Sequence, residues 1–316
     1  MRLDRDSKKW LTDLCGAAVR FAEPMAAHTS LQVGGPADAF VRPASIDVLT
    51  ALIEGARRRN LPYLIVGDGT NLLVGDGGIR GIVVVLSQCL TIIGRAPGTA
   101  DAVRVTAQAG AKLQRLCQFA LKHGLAGLNF ALGIPGTVGG GIRMNAGTRH
   151  GWMGDVLDAI EVLGPGGDIR SIDRSDLRIA YRRMNWSAAE GPNRHRSPII
   201  LGGCFRLQPG DPGPLRHEAR AILKERRRHQ PSGLPSAGCF FKNPPVGEPA
   251  GRLIELAGLK NKKIGGAQIS ERHANFIVNT GRASAADILR LMTHVQASVL
   301  ERFNVQLEPE VEIVGE

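Results

Sequence analysis

Six glycines fall within the fifteen residues Gly133-Ile134-Pro135-Gly136-Thr137-Val138-Gly139-Gly140-Gly141-Ile142-Arg143-Met144-Asn145-Ala146-Gly147. No other stretch constrains the fold as strongly. Glycine reaches φ > 0 and lets backbone N–H groups come close to a ligand. A run this dense, punctuated by Thr137 and Asn145, suits a loop wrapped around a pyrophosphate. It also suits a glycine-rich turn between strands. The spacing is not the dinucleotide fingerprint G-x-G-x-x-G, and Pro135 interrupts it, so a Rossmann unit is not expected here. A second stretch favours the ligand reading. Tyr63-Leu64-Ile65-Val66 reads as a buried strand and runs into Gly67-Asp68-Gly69-Thr70-Asn71-Leu72. Two such loops suit one extended phosphate-bearing ligand gripped from two sides.

Around these loops the pattern is mixed α and β. Residues 8–20 read as a short N-terminal helix. Ser45 is the predicted N-cap of the next helix, with Val48, Leu49, Leu52, Ile53 and Ala56 as its apolar stripe. Strands are predicted at Ile82–Leu86 and, from alternation, over Val103–Ala109. A helix is predicted from about Ala111 to His123, stopped by Gly124. Val156–Leu163 and Ile169–Ile172 read as a strand pair across a glycine turn. Gln208–Pro214 is linker-like, and a basic helix follows from about Leu215 to His229. Arg226, Arg227 and Arg228 at its end suit either solvated charge complementing the helix dipole or a landing site for phosphates. The last helix opens on Ser284, with Ile288, Leu289, Met292, Val295 and Leu300 as its core face.

The 316 residues suffice for two or three domains. No run approaches 18 apolar residues, so no membrane span is expected. The charged start resembles no signal peptide, which predicts a cytoplasmic location. The five cysteines are scattered and include no Cys-x-x-Cys, so neither zinc nor a disulfide framework is expected. The net charge of +11 raises a nucleic-acid partner, but no nucleic-acid motif accompanies it. Arginines facing anionic small ligands account for it better.

From His28 onward the chain resembles the UDP-N-acetylenolpyruvoylglucosamine reductases (MurB). The resemblance rests on His28-Thr29-Ser30-Leu31-Gln32-Val33-Gly34-Gly35-Pro36-Ala37-Asp38, Gly67–Val74, Gly133–Gly147 and Tyr181-Arg182. It continues through Ser236–Pro244, Gly265–Asn279 and Leu307-Glu308-Pro309-Glu310-Val311. It implies an α+β fold: a two-part, PCMH/MurB-like FAD-binding domain, then a smaller α+β substrate-binding domain. The expected division is an N-terminal helical appendage at 1–27, the flavin part at 28–209 (halves about 28–95 and 96–209), and the substrate part at 210–316. The short stretch between Tyr181-Arg182 and the last domain points to the form of the enzyme without a long substrate-covering insertion.

The implied cofactors are FAD and NADPH as hydride donor, and the implied substrate is a nucleotide sugar bearing an enolpyruvyl ether. FAD contacts are expected from Gly67, Gly69, Thr70, Asn71 and Leu72, and from Gly133, Ile134, Pro135, Gly136, Thr137, Gly139, Gly140, Asn145, Ala146 and Gly147. By position Cys239 matches the family's proton donor, commonly a serine. A thiol with a pKa of about 8.5 is a far better acid than an alcohol. Arg182 matches the arginine that pairs with the substrate carboxylate, a planar cation suited to it. Arg183 is the alternative, because Ala180-Tyr181-Arg182-Arg183-Met184 departs from the usual Gly-Tyr-Arg-x-Ser. Glu310 matches the family glutamate. Tyr181, Lys242, Asn243, Gln268, His273 and Asn275 are the expected substrate-binding residues. Asp68 stands where the family usually has glycine, and Thr70 where it has serine. A carboxylate near a pyrophosphate is unfavourable unless it points away.

Competing readings are an oxidase of the same flavin superfamily, a diverged paralogue acting on another enol ether, and a basic nucleic-acid binder. Such oxidases often tether flavin through histidine or cysteine. Neither glycine loop holds a histidine, although His150 follows the second.

Overall fold

The structure is a computed structural model that describes residues 3–99, 102–164, 166–186 and 198–316. Pro165 of the predicted glycine turn lies outside them. The chain forms two compact units. The first comprises 1–21, 39–68 and 81–225, and the second 22–38, 69–80 and 226–316.

Unit 1 is built on an antiparallel sheet. Its order is Ile169–Asp173, Leu157–Leu163, Ile199–Pro209, Ala102–Gln108 and Ile93–Thr99, with Leu125–Ala126 pairing the end of Ile199–Pro209. A four-stranded sheet orders Val19–Pro24, Pro36–Val41, Ile79–Val85 and Tyr63–Val66. Tyr63–Val66 runs parallel to Ile82–Val85. The helices of this unit are α1 (Arg5–Cys15), α2 (Ile46–Arg58), α3 (Leu113–Lys122), α4 (Val138–Arg143), α5 (Met153–Val156) and α6 (Pro212–His229), the last through Glu225.

Local signals act as expected at two helix ends. The Ser45 hydroxyl accepts from Val48 N and starts α2, and Gly124, at φ 62, follows the end of α3. Three expectations are corrected. The N-terminal helix stops at Cys15, and Val19–Pro24 is a strand. Leu11 is fully buried in the unit 1 core, and Arg59 stacks 4.4 Å over Trp10, so this helix is not a detached appendage. Gln208–Pro214 is no linker: Pro209 ends a strand and Pro212 begins α6, as a proline at a first helical position can.

Unit 2 has its own core of Phe240, Phe241, Leu253, Ile254, Ile277, Ile288, Leu291 and Val299. Its antiparallel sheet is Lys263–Ile264, Ala267–Ile269 and Ile277–Asn279. The segment before Phe241 extends it, through a Ser236–Val278 bridge and Phe240 N donating to Asn275 O at 2.7 Å. Glu312–Val314 runs parallel to Leu72–Val74. Two helices, α7 (Ala250–Leu256) and α8 (Ala285–Phe303), complete the unit. Ser284 caps α8 as predicted, in a box with Asp287. On α8, Ile288 and Val295 of the predicted face are buried and Leu289 and Met292 pack against the core; only Leu300 is corrected, being 42% exposed, while Leu291 and Val299 join the core.

Candidate active site

The glycine-rich stretch is not one loop. Gly133 (φ 78) and Gly136 (φ 110) take the left-handed backbone that glycine permits, but Gly139, Gly140 and Gly141 lie inside α4. At Gly139 it is small size that matters, not backbone freedom. A Cβ on Gly139 would come within 2.8 Å of Ala109 Cβ. Buried Thr137 caps α4, its hydroxyl accepting from Gly140 N at 3.4 Å. A Cβ on Gly67 would fall on that same hydroxyl, so Gly67 of the first loop packs directly against Thr137 of the second. The segment Ala109–Lys112 props the second loop through Gly139 N to Ala109 O and Val138 N to Ala111 O, each 2.8 Å.

Asp68 resolves its own conflict. Its carboxylate meets Lys112 Nζ at 2.5 Å, so the negative charge is neutralised locally. This glycine floor, with a cation beside it, fits an anionic pyrophosphate such as that of FAD. Asn145 also holds the structure around the stretch. Its side chain donates to Ala180 O at 3.0 Å and accepts from Gly154 N at 2.9 Å. It pins the loop and the following hairpin, with its own backbone at φ 40.

That hairpin, Leu177–Ala180 with Arg183–Trp186, carries Tyr181 and Arg182 at its two-residue tip. Arg182 Nη1 donates to Gly147 O at 3.1 Å, and its guanidinium lies over Trp152 (5.3 Å) and Tyr181 (5.1 Å). The two rings stack edge-on at 5.6 Å. Arg183 is exposed on the strand. Arg182 is therefore the arginine tied to the glycine stretch. His150 lies 3.8 Å from Glu225 of α6, which also takes Arg149 at 2.6 Å.

In unit 2, the segments that carry Cys239 and Glu310 are paired through their backbones. Glu310 N donates to Phe240 O at 2.8 Å, Lys242 N donates to Glu308 O at 2.8 Å, and Phe241 bridges Pro309. Asn275 locks the first of these strands: Phe241 N donates to its Oδ1 at 2.9 Å and its Nδ2 donates to Phe241 O at 2.8 Å. Both ends of this buried amide are used, so Asn275 holds the strand that carries Cys239. Asn71 does the same for the other strand, donating from Nδ2 to Glu310 O at 3.0 Å.

Cys239, Asn243, His273 and Asn275 line a cavity of about 290 Å³ with Arg252, Glu255, Lys260 and Arg272. Gln268 lines a different one, of about 390 Å³, and its amide donates to Asn261 at 3.0 Å. His273 accepts from Asn275 N at Nδ1 (3.2 Å). Burial, then Lys260 and His229, hold its pKa below the ordinary value, so it is a neutral ring with Nε2–H as donor. Lys242 Nζ pairs with Glu308 at 3.2 Å, and Asn243 Oδ1 accepts from Ala250 N at 3.1 Å.

Sequence reasoning gave Lys112 and Arg272 no site role and did not tell Arg226 apart from Arg227 and Arg228. Lys112 carried no motif. Arg226 separates from its neighbours: Arg227 and Arg228 are exposed, but Arg226 is half-buried, and that burial lowers its pKa. Arg272 lines both cavities and donates from Nη1 to Arg227 O (3.2 Å) and Gln230 O (3.3 Å). The triple-arginine run was the only sequence signal among these. Among the described residues no three His, Cys, Asp or Glu side chains are grouped to hold a metal, and no helix is long and apolar enough to cross a membrane.

Residues 37–173 match the FAD binding domain family. Residues 230–314 match the UDP-N-acetylenolpyruvoylglucosamine reductase C-terminal domain. The UDP-N-acetylenolpyruvoylglucosamine reductase of Desulfosudis oleivorans is 46% identical over 99% of this chain and 100% of its own length. That of Syntrophus aciditrophicus is 43% identical over 98% and 96%. The crystal structure of the Thermus caldophilus reductase (MurB) superposes with a TM-score of 0.75 at 35% identity, covering 92% of this chain and 97% of that one. Near full-length identity with such relatives, on a fold shared with the Thermus structure, shows that this chain belongs to the UDP-N-acetylenolpyruvoylglucosamine reductase (MurB) family.

Proposed function

We propose that the chain reduces the enolpyruvyl ether of UDP-N-acetylglucosamine to UDP-N-acetylmuramate, with FAD and NADPH, in peptidoglycan precursor synthesis. The observation that carries this reading is the strand pairing that holds the segments of Cys239 and Glu310 side by side, in a chain whose other unit ties Arg182 to the glycine stretch. In this reading 28–209 is the flavin-binding part and 210–316 the substrate-binding part, with the enzyme in the cytoplasm. Bound FAD supplies the hydride relay, from nicotinamide to the enolpyruvyl carbon. The glycine floor around Gly67, Thr137 and Gly139, with Lys112, holds the pyrophosphate.

The protein's own task is charge and proton. As hydride arrives, negative charge develops beside the substrate carboxylate. Arg182 holds that carboxylate and stabilises the charge. Cys239 donates its Sγ proton to the carbon next to the carboxylate. Glu310 polarises the enolpyruvyl group. Tyr181, Lys242, Asn243, Gln268 and His273 bind the nucleotide sugar, and Asn275 acts by holding the Cys239 strand.

The test separates the half-reactions. Purified protein should show a flavin spectrum that bleaches with NADPH under anaerobic conditions and returns on adding the enolpyruvyl substrate. Arg182→Ala and Glu310→Gln should slow the return about 100-fold or more and leave bleaching close to parent. Equal slowing of both steps would make these residues general folding or binding elements. Reoxidation by oxygen alone, with colour retained in precipitated protein, would favour the tethered-flavin oxidase.

A further inference from the structure

We propose that Lys112 and Asp68 form a charge latch that sets FAD affinity, one ammonium being shared between the Asp68 carboxylate and the flavin pyrophosphate. The inference rests on the reading that the two glycine stretches hold FAD. It goes beyond that reading by assigning a role to Asp68, where the family usually has glycine, and to Lys112, which no motif marked.

Three observations carry it. The Lys112–Asp68 pair closes at 2.5 Å, with the Lys112 side chain half-exposed and that of Asp68 15% exposed. The ammonium end is therefore open to solvent and to a ligand there, while the carboxylate is largely enclosed. Second, Lys112 is built into the second stretch by its backbone: it bridges Thr137, and Leu113 N donates to Gly136 O at 2.9 Å. Third, Gly67, the residue before Asp68, packs against the Thr137 hydroxyl. The pair thus joins the two stretches at the place where they touch.

Electrostatics gives the sign. An unneutralised carboxylate beside a pyrophosphate repels it, and a protein interior screens that repulsion less than water does. Lys112 removes the repulsion and adds an attraction. Asp68 in turn occupies the ammonium and so weakens its hold on the phosphate. The two residues must then act non-additively.

The experiment measures FAD dissociation constants by flavin fluorescence on flavin-stripped protein for the parent, K112M, D68G and K112M/D68G, with thermal melts to confirm folding. K112M should weaken FAD about tenfold, the size of a lost charge-assisted hydrogen bond. D68G should tighten it a few-fold in the parent and restore most of the loss in the K112M background. The K112M constant should also depend less on salt than the parent's, since fewer ions are exchanged on binding. A Kd for K112M within twofold of the parent, or the same loss with and without Asp68, overturns the latch. G67V separates this from the underlying reading. If G67V loses FAD while K112M does not, only the latch fails. If G67V binds FAD like the parent, the glycine stretches do not hold the cofactor and both fail.

Discussion

At Cys239 the chain carries a thiol where the family pattern commonly has serine, and the structure makes that position testable in isolation. Cys239→Ala should bind FAD and be reduced by NADPH, yet reoxidation by the enolpyruvyl substrate should fall about 100-fold or more, as for a lost general acid. Cys239→Ser should keep substantial turnover. Near-parent turnover in Cys239→Ala would reduce the residue to packing. A thiol-alkylating agent should inactivate the parent and spare Cys239→Ser. The other four thiols are protected by burial, which raises the pKa of Cys15, Cys89 and Cys204 and pushes Cys117 up to about 12. The thiolate, which is the reacting form, is scarce in all of them. Arg182 offers a second single-residue test, because it sits at φ 56 in a turn where glycine is the usual occupant. Arg182→Gly should relieve about 1 kcal/mol of backbone strain and melt at or above the parent temperature, while losing the substrate half-reaction. A much lower melting temperature would show that stacking on Trp152 and Tyr181 outweighs the strain.

At the level of elements, α8 shows how a motif that identifies the family can be structural. The Asp287 carboxylate accepts from Gly266 N and Ser284 N, each 3.1 Å, and from Arg290 at 2.6 Å. A Cβ on Gly265 would collide with it. The Gly265-Gly266 pair is there for this carboxylate, which ties the hairpin to the start of α8. Backbone hydrogen bonds from Gly266 and Ser284, then Arg290, hold its pKa at about 2, below the ordinary 3.8. Because the folded value is the lower one, the stabilisation is complete above about pH 4 and is lost as pH falls toward 2. Melts of the parent and Asp287→Asn should differ most near pH 5 and converge toward pH 2. A gap independent of pH would mean that the carboxylate's charge is not what matters. Asp76 reinforces the same helix start, accepting from Ala285 N at 2.8 Å and Ala286 N at 2.9 Å.

For the whole molecule, cofactor binding and folding are linked. FAD at about 100 times its Kd should add about 2.7 kcal/mol to the stability of flavin-stripped protein, read as a rise in the calorimetric midpoint. An unchanged midpoint at that concentration would mean the folded chain does not hold FAD. How much of this was legible beforehand depends on the range of the interaction. The sequence by itself determined the helix starts at Ser45 and Ser284, the stop at Gly124 and the strand at Tyr63–Val66, because caps and side-chain periodicity act within a few residues. It also showed both glycine stretches and the ordered motifs of the family. Tertiary structure alone decided what the asparagines do. Asn71 reaches Glu310 across 239 residues, Asn279 reaches Leu31 across 248, and Asn275 reaches Phe241 across 34. A buried amide must find a partner, and spacing along the chain does not reveal which carbonyl will be near. The same holds for Lys112, which meets Asp68 44 residues away, and for Arg226, which burial sets apart from two identical neighbours.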